Sequence, residues 1–340
     1  MDIKVNTNVQ TEATEKRVDG KRIFSKYLIV FILLAMVAGI TAVNPRFLAV
    51  GNLLNLLTQT SIYGVLALGM LLVIISKGID LSVGSVLAFA GIVAGSISQV
   101  ADAPGKLFPG LGQAPLWMTI LVALSIGALL GLINGALIAY AKVPAFIATL
   151  GMFTAARGGA LMFSDGRPVS NVNPEVTIFG TRLFGWLPVP VLIYGGVILL
   201  TFVLLRYTSF GKSVFAIGGN MEAAKVSGIK VKRNLTLIYM YSGLLAGLAA
   251  LIYMGRTGGS VQPAAATGYE LTAVAAATIG GASHAGGVGT VWGAVVGALI
   301  LGVLTNGFTL LGIDAYVQQI VQGIIIVAAV VMDMRKNKTA

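Results

Sequence analysis

Cysteine is absent from the 340 residues, which excludes disulfides and thiolate metal sites and leaves redox compartment unmarked. One histidine, His284, is too few ligands for a metal site. Charge is scarce too: 10% of residues are Asp, Glu, Lys or Arg, where a soluble domain carries about 25%. Carboxylates are nearly missing from the apolar runs, which argues against the buried proton or sodium relays of an ion-coupled carrier. Paired catalytic carboxylates, an HExxH and a nucleophile elbow with a histidine partner are all lacking, so no catalytic constellation is visible.

What fills the chain is apolar sequence, 56% of it, with a mean hydropathy of +0.90. The runs 52–76, 81–101, 111–141, 183–205, 234–255 and 271–313 hold no charged residue at all. Roughly 20 apolar residues cross the hydrocarbon core as a helix. The fold class is therefore all-α, a polytopic integral membrane protein with about ten transmembrane helices. We place them at 27–43, 52–76, 81–100, 116–140, 143–163, 188–205, 235–254, 269–283, 288–311 and 315–332. The eighth is short and glycine-rich, as a half-helix or re-entrant segment would be. The first ends in Asn44-Pro45-Arg46 with no small-residue cleavage site, which reads as an uncleaved span. Residues 1–26 and 334–340 are expected to be cytoplasmic tails flanking a membrane domain over 27–333.

The net charge of +11 does not point to nucleic acid, because the positive residues sit in short loops and tails. With both termini in the cytoplasm, the inner side receives six Lys and Arg in the N-terminal tail, Lys77, Lys142, six in 206–234 and three at the C-terminus, 17 of 23. Arg46, Lys106, Arg157, Arg167, Arg182 and Arg256 fall outside or near an outer end. That asymmetry follows the positive-inside rule and fits an even number of spans.

Residues 206–234, RYTSFGKSVFAIGGNMEAAKVSGIKVKRN, form the longest expected cytoplasmic loop. Phe210, Val214, Phe215 and Ile217 precede a turn at Gly218-Gly219-Asn220, and a short helix over Glu222–Val226 should stop at Ser227-Gly228, since glycine suits the left-handed position past a helix. Such a helix is a ready surface for a partner protein; a solvated basic loop that only sets orientation is the plainer alternative. Gly211-Lys212-Ser213 imitates the end of a phosphate-binding loop, but the position needing the first glycine is Arg206.

Gly127, Gly131 and Gly135 in the fourth span, and Gly289, Gly293 and Gly297 in the ninth, form ladders at four-residue spacing that let helices approach closely. They lie in different five-span halves, suggesting a 5+5 inverted repeat. Polar residues at membrane depth default to functional candidates. Asn55, Gln59, Asn134, Thr149, Glu270 and Asn306 suit a pathway for an uncharged, hydroxylated solute, because amides offer donors and acceptors. For any single one of them, interhelical hydrogen bonding is the plainer reading. Arg157 is a further polar group in the fifth span, and Asp80 or Ser82 is expected to cap the third helix. The loop 164–187 is long enough to meet an outer partner, cap a pore, or merely connect.

Taken together, GIDLSVGS at 78–85, GLINGALI at 131–138, FIATLG at 146–151, FGKSVFAIGGNMEAAKVSGIKV at 210–231, GYEL at 268–271 and GGVGTVWGAVVGALILGVLTNG at 286–307 resemble the permease subunit of bacterial ABC sugar importers, the ribose, galactose and xylose group. The resemblance extends from Asn44 to Asp333. It implies a dimeric pathway, built with a second copy or a sister permease in the inner membrane, that works by alternating access. It also implies a cytoplasmic ABC ATPase using ATP and magnesium, a periplasmic sugar-binding protein, and no cofactor on this chain. Carried over residue by residue, it assigns ATPase coupling to Gly218, Gly219, Asn220, Glu222, Ala223, Ala224, Ser227, Gly228 and Ile229. Thr272, Ala282 and His284 depart from the family pattern, and they bear on substrate range. An ion-driven secondary sugar carrier and a passive channel are the rival readings.

Overall fold

The computed structural model describes residues 20–338. The expected tail over 1–26 lies outside the described residues as far as residue 19, and the last two positions of 334–340 do as well. Helices α1 (Gly20–Val43), α2 (Val50–Ile75), α3 (Val83–Ile97), α4 (Leu116–Ala139), α5 (Ala145–Phe163) and α6 (Val189–Tyr207) occupy the first six expected spans. Two further helices follow, α7 (Ser209–Gly219) and α8 (Met221–Val226). Then come α9 (Val231–Arg256), α10 (Tyr269–Ile279), α11 (Val291–Leu310) and α12 (Ala315–Lys338) on the last four spans. Among the described residues, α2, α4, α5, α6, α9 and α11 are each long and apolar enough to cross a membrane, and α1, α3, α10 and α12 carry shorter apolar stretches.

Two helices run past their expected spans into charged sequence. Gly20 already opens α1, and α12 continues past Asp333 to Lys338. The 206–234 stretch is mostly helical. In α7, Gly211, Val214, Ile217 and Gly218 repeat at helical spacing and form its buried face, a pattern masked by the glycines around it. Lys232 and Arg233 belong to the first turn of α9.

The core is built around α2, in which every residue from Thr60 to Ile75 is buried. It packs against α6, α9, α10 and α11. The glycine ladder of α4 faces α9: a β-carbon on Gly127 would overlap the Gly243 carbonyl, and one on Gly131 the Tyr239 carbonyl. Without a hydrophobic force between helices in lipid, such backbone contact supplies the dispersion energy of association. Of the second expected ladder, Gly293 and Gly297 lie in α11 and meet Gly280 and Ala276 around α10, while Gly289 falls before the helix begins and meets Ile75 and Leu71 of α2. The two ladders therefore bind non-equivalent neighbours.

A repeat is nevertheless present in the packing. Exchanging α2 with α9, α3 with α10, α4 with α11 and α5 with α12 maps the contacts α2–α10, α2–α11, α3–α4, α3–α5 and α4–α5 onto α9–α3, α9–α4, α10–α11, α10–α12 and α11–α12, each of which exists. The central pair, α2 and α9, runs antiparallel: Gln59 meets Arg256 at one end and Gly69 meets Ser242 further along. That is the relation an inverted repeat requires. Helices α1 and α6 fall outside it, since α1 rests on α11 and α6 on α2.

Opposite the α8 end of the bundle, the loop 164–187 is tied down. Val169 and Val261 exchange two backbone hydrogen bonds of 2.9 Å, and Asn173 N–H donates to Ser98 O at 2.6 Å. A two-stranded hairpin pairs Arg182 with Pro188 and Leu183 with Leu187.

Candidate functional site

The exposed platform at one end of the bundle is built by capping. Asn220 Oδ1 accepts from Ala223 N–H at 3.0 Å and starts α8. At the other end, Ser227 Oγ donates to Ala223 O at 2.9 Å, and Gly228 takes φ +81°, a left-handed value that glycine adopts without strain. Glu222 and Lys225 form a 2.8 Å ion pair on the exposed face. Of the nine residues assigned to coupling, Gly218 and Ala224 are buried; Gly219, Asn220, Glu222, Ala223, Ser227 and Gly228 are exposed, and Ile229 is intermediate. Val226 at the tip is 91% exposed. Beside α8 opens a cavity of about 460 Å³ lined by Ser209, Ser213, Ser227, Lys230 and Arg233.

This platform is keyed into the bundle. A β-carbon on Gly218 would overlap the Ile75 carbonyl at the end of α2. Gly287 N–H, in the α10–α11 turn, donates to that same carbonyl at 2.8 Å, and Lys77 Nζ donates to Gly219 O at 3.3 Å. The turn is held in its own right, for Asp333 Oδ2 accepts from His284 N–H at 3.0 Å and from Ser283 Oγ at 3.2 Å. His284 Nε2 lies 2.9 Å from Thr278 Oγ1. Burial holds the His284 pKa below the usual imidazole value, against an upward pull from Asp333. One contact chain thus joins α8, α7, α2, the α10–α11 turn and α12.

Further into the bundle, two helices begin inside it. Asp80 accepts hydrogen bonds from Ser82 N–H at 3.0 Å, Ser82 Oγ at 2.6 Å and Ser242 Oγ at 2.9 Å. Ser242 lies eleven residues after the start of α9 and fourteen before its end, which puts α3's first turn near mid-depth. Ser82 occupies the N-cap position of α3 without accepting from its amides, and the one backbone amide there that Asp80 accepts from is that of Ser82. The expected capping bonds are therefore replaced by a buried network, which Asn134 joins by donating from Nδ2 to Ser82 Oγ at 3.0 Å. Across from this, Gly84 of α3 lies against the Glu270 carboxylate at the start of α10; a β-carbon there would overlap it. Glu270 Oε1 accepts from Gly268 N–H at 3.1 Å, while the buried Oε2 has no partner. Arg157 Nη1 donates to Pro263 O and Ala265 O at 2.6 and 2.9 Å, and its buried Nη2 is also unpaired.

The six pathway candidates divide. Asn306 exchanges hydrogen bonds of 2.9 and 3.0 Å with Asn52, Thr149 donates to Ala145 O of its own helix, and Asn134 is in the Asp80 network. Glu270 stands against Gly84, and Asn55 and Gln59 belong to a separate cluster towards the hairpin end. There Gln59 Nε2 donates to Tyr63 Oη at 2.9 Å, Arg256 reaches Gln59 Oε1 at 3.4 Å and Arg182 reaches Asn55 Oδ1 at 3.3 Å. The Tyr269 ring stands edge-on to Tyr63 at 4.8 Å and to Tyr253 at 6.4 Å. Sequence reasoning missed the three tyrosines and two arginines; Tyr63, one helical turn after Gln59, was the available signal.

The model of the family described as branched-chain amino acid transport system / permease component matches residues 52–330. Over 337 residues the chain is 40% identical to the ribose import permease protein RbsC of Escherichia coli (strain K12), covering 95% of this chain and 100% of that one. It is 41% identical over 334 residues to RbsC of Bacillus subtilis (strain 168), covering 96% and 98%. Against the galactose/methyl galactoside import permease protein MglC of Haemophilus influenzae the identity is 39% over 315 residues, covering 91% and 94%. No solved structure matches the chain. With these similarities running nearly end to end over a helical membrane bundle, the chain belongs to this permease-component family, among the permease subunits of ABC sugar importers.

Proposed function

We propose that the chain is the membrane pathway of an ABC importer that carries a monosaccharide, of the ribose, galactose or xylose kind, into the cytoplasm. The observation that carries this reading is the near-complete likeness to import permeases for ribose and galactose. Both termini and α8 face the cytoplasm, as the 17 to 6 distribution of positive residues supports. The chain has no ATPase site of its own; ATP and magnesium are used by a partner ATPase that docks on the exposed face of α8.

The pathway works by alternating access, with a second permease copy or a sister permease completing it. Sugar handed over by a periplasmic binding protein enters at the hairpin end, where the Tyr63, Tyr253 and Tyr269 rings cover its apolar faces and Asn55, Gln59 and Arg256 bond its hydroxyls. Closure of the ATPase draws α8 inward. Gly218 passes that displacement to α2 and to the α10–α11 turn, and the helix pairs rock about the contact of α3 with α10.

Proteoliposomes test this. Concentrative uptake of one sugar from a panel is expected only with this chain, the ATPase, the binding protein and internal ATP together. Uphill uptake by the chain alone under an ion gradient would overturn the reading in favour of a secondary carrier, and uptake that never exceeds equilibrium in favour of a passive channel.

A further inference from the structure

On the other side of α7 from α8 lies a second cavity, of about 830 Å³, between α6, α7 and the start of α11. Its walls combine two chemistries. Arg206 and Lys212 supply cations, and among the described residues neither makes an ion pair or a side-chain hydrogen bond. Phe202, Leu205, Tyr207, Phe215 and Trp292 supply apolar and aromatic surface. No carboxylate is among the lining residues.

We infer that this cavity holds the headgroup of an anionic phospholipid. Its location selects lipid over a docked protein. The outer flank is the exposed apolar side of α6, with Leu199 64% and Leu200 48% accessible, the kind of surface that faces acyl chains in a bundle. Trp292 and Tyr207 stand at the rim, at the position where amphipathic rings mark the headgroup layer. The buried face of α7 separates the cavity from α8, so a protein seated on the α8 platform leaves it open to the bilayer. Basic pockets between membrane helices on the cytoplasmic side bind anionic headgroups. Here the phosphate sits between Arg206 and Lys212 while one acyl chain follows Phe202 and Leu205. A lipid so placed touches α6, α7 and α11 together.

The test is native mass spectrometry of the purified full chain, loaded separately with phosphatidylglycerol and phosphatidylcholine. Each cation near an anionic headgroup contributes about fivefold in affinity. Phosphatidylglycerol retention should therefore fall about 25-fold in Arg206→Gln/Lys212→Gln and remain unchanged in Lys230→Gln/Arg233→Gln, which removes the same charge beside α8. The swap Arg206→Lys/Lys212→Arg keeps both charges and should retain the lipid, which separates charge loss from misfolding. Equal retention of the two lipids by the wild type, or unchanged retention in the first double variant, overturns the inference. Displacement of the lipid by inorganic phosphate overturns it in favour of a free-phosphate site. Loss of ATPase co-purification in that variant with lipid retention intact assigns the cations to protein docking instead.

Discussion

Gly218 lies so close to Ile75 that a β-carbon on residue 218 would overlap the Ile75 carbonyl oxygen, which already accepts a 2.8 Å hydrogen bond from Gly287 N–H. A single carbonyl at the end of α2 thereby joins the segment leading to α8 with the turn between α10 and α11. Gly218→Val has to part these elements, and overpacking of this kind costs about 1–3 kcal/mol. The variant should insert in the membrane, measured by fractionation, yet lose at least tenfold in ATP-driven sugar uptake. Normal uptake would remove this contact from the coupling route.

Glu222→Lys separates docking from stability. The Glu222–Lys225 pair is exposed on both sides, and pairs of that kind contribute little to folding. Thermal unfolding in detergent should be unchanged while uptake is lost. Gly228→Val strains the left-handed position at φ +81° by about 1–2 kcal/mol and should uncouple as well. Full uptake in both variants would sink the assignment of α8.

At the hairpin end, Tyr269→Ala should raise the KM for sugar about tenfold, whereas Tyr269→Phe, which keeps the ring between Tyr63 and Tyr253, should change it little. Gln59→Leu should act like Tyr269→Ala, because Gln59 joins Tyr63 to Arg256. ATPase co-purification should be unaffected in all three. A uniform loss of ATPase binding would mean that the cluster is structural.

His284 gives the α10–α11 turn a pH dependence. Its folded pKa lies below the unfolded value of about 6.5, so between the two values the unfolded chain binds a proton that the folded chain does not. Its contribution to stability is complete above about pH 6.5 and is lost as pH falls towards the folded value. The melting temperature should therefore decline on acidification from about pH 7.5 to 5.5, and less steeply in His284→Gln. Parallel profiles would place the titration elsewhere.

Hydropathy made the ten apolar spans legible because lipid leaves helices as the economical choice, and a helix stands on each of them, with α1 beginning seven residues before its span and α12 ending six residues after its own. The capped helix α8 was legible too, since Asn220 and Gly228 announce its ends chemically. Helix α7 was hidden because its buried face is half glycine, which carries no hydropathy signal for a helix. The partition of Asn134, Asn306 and Thr149 from Asn55 and Gln59, with Glu270 apart from both against Gly84, was equally invisible. All six are polar residues in or at the ends of apolar helices, and only the helix-to-helix register tells which find partners within the bundle. The packing exchange between α2–α5 and α9–α12 left just the glycine ladders as a trace, and those ladders proved to face different neighbours.

Because the chain has no cysteine, one introduced thiol reports one position, and site-specific cross-linking can ask where the ATPase sits. Ala223→Cys, on the exposed face of α8, should cross-link to the ATPase subunit, more strongly with ATP bound. Trp186→Cys, at the hairpin end, should not. Capture of the ATPase at position 186 and not at 223 would contradict both the docking role of α8 and the orientation of the bundle.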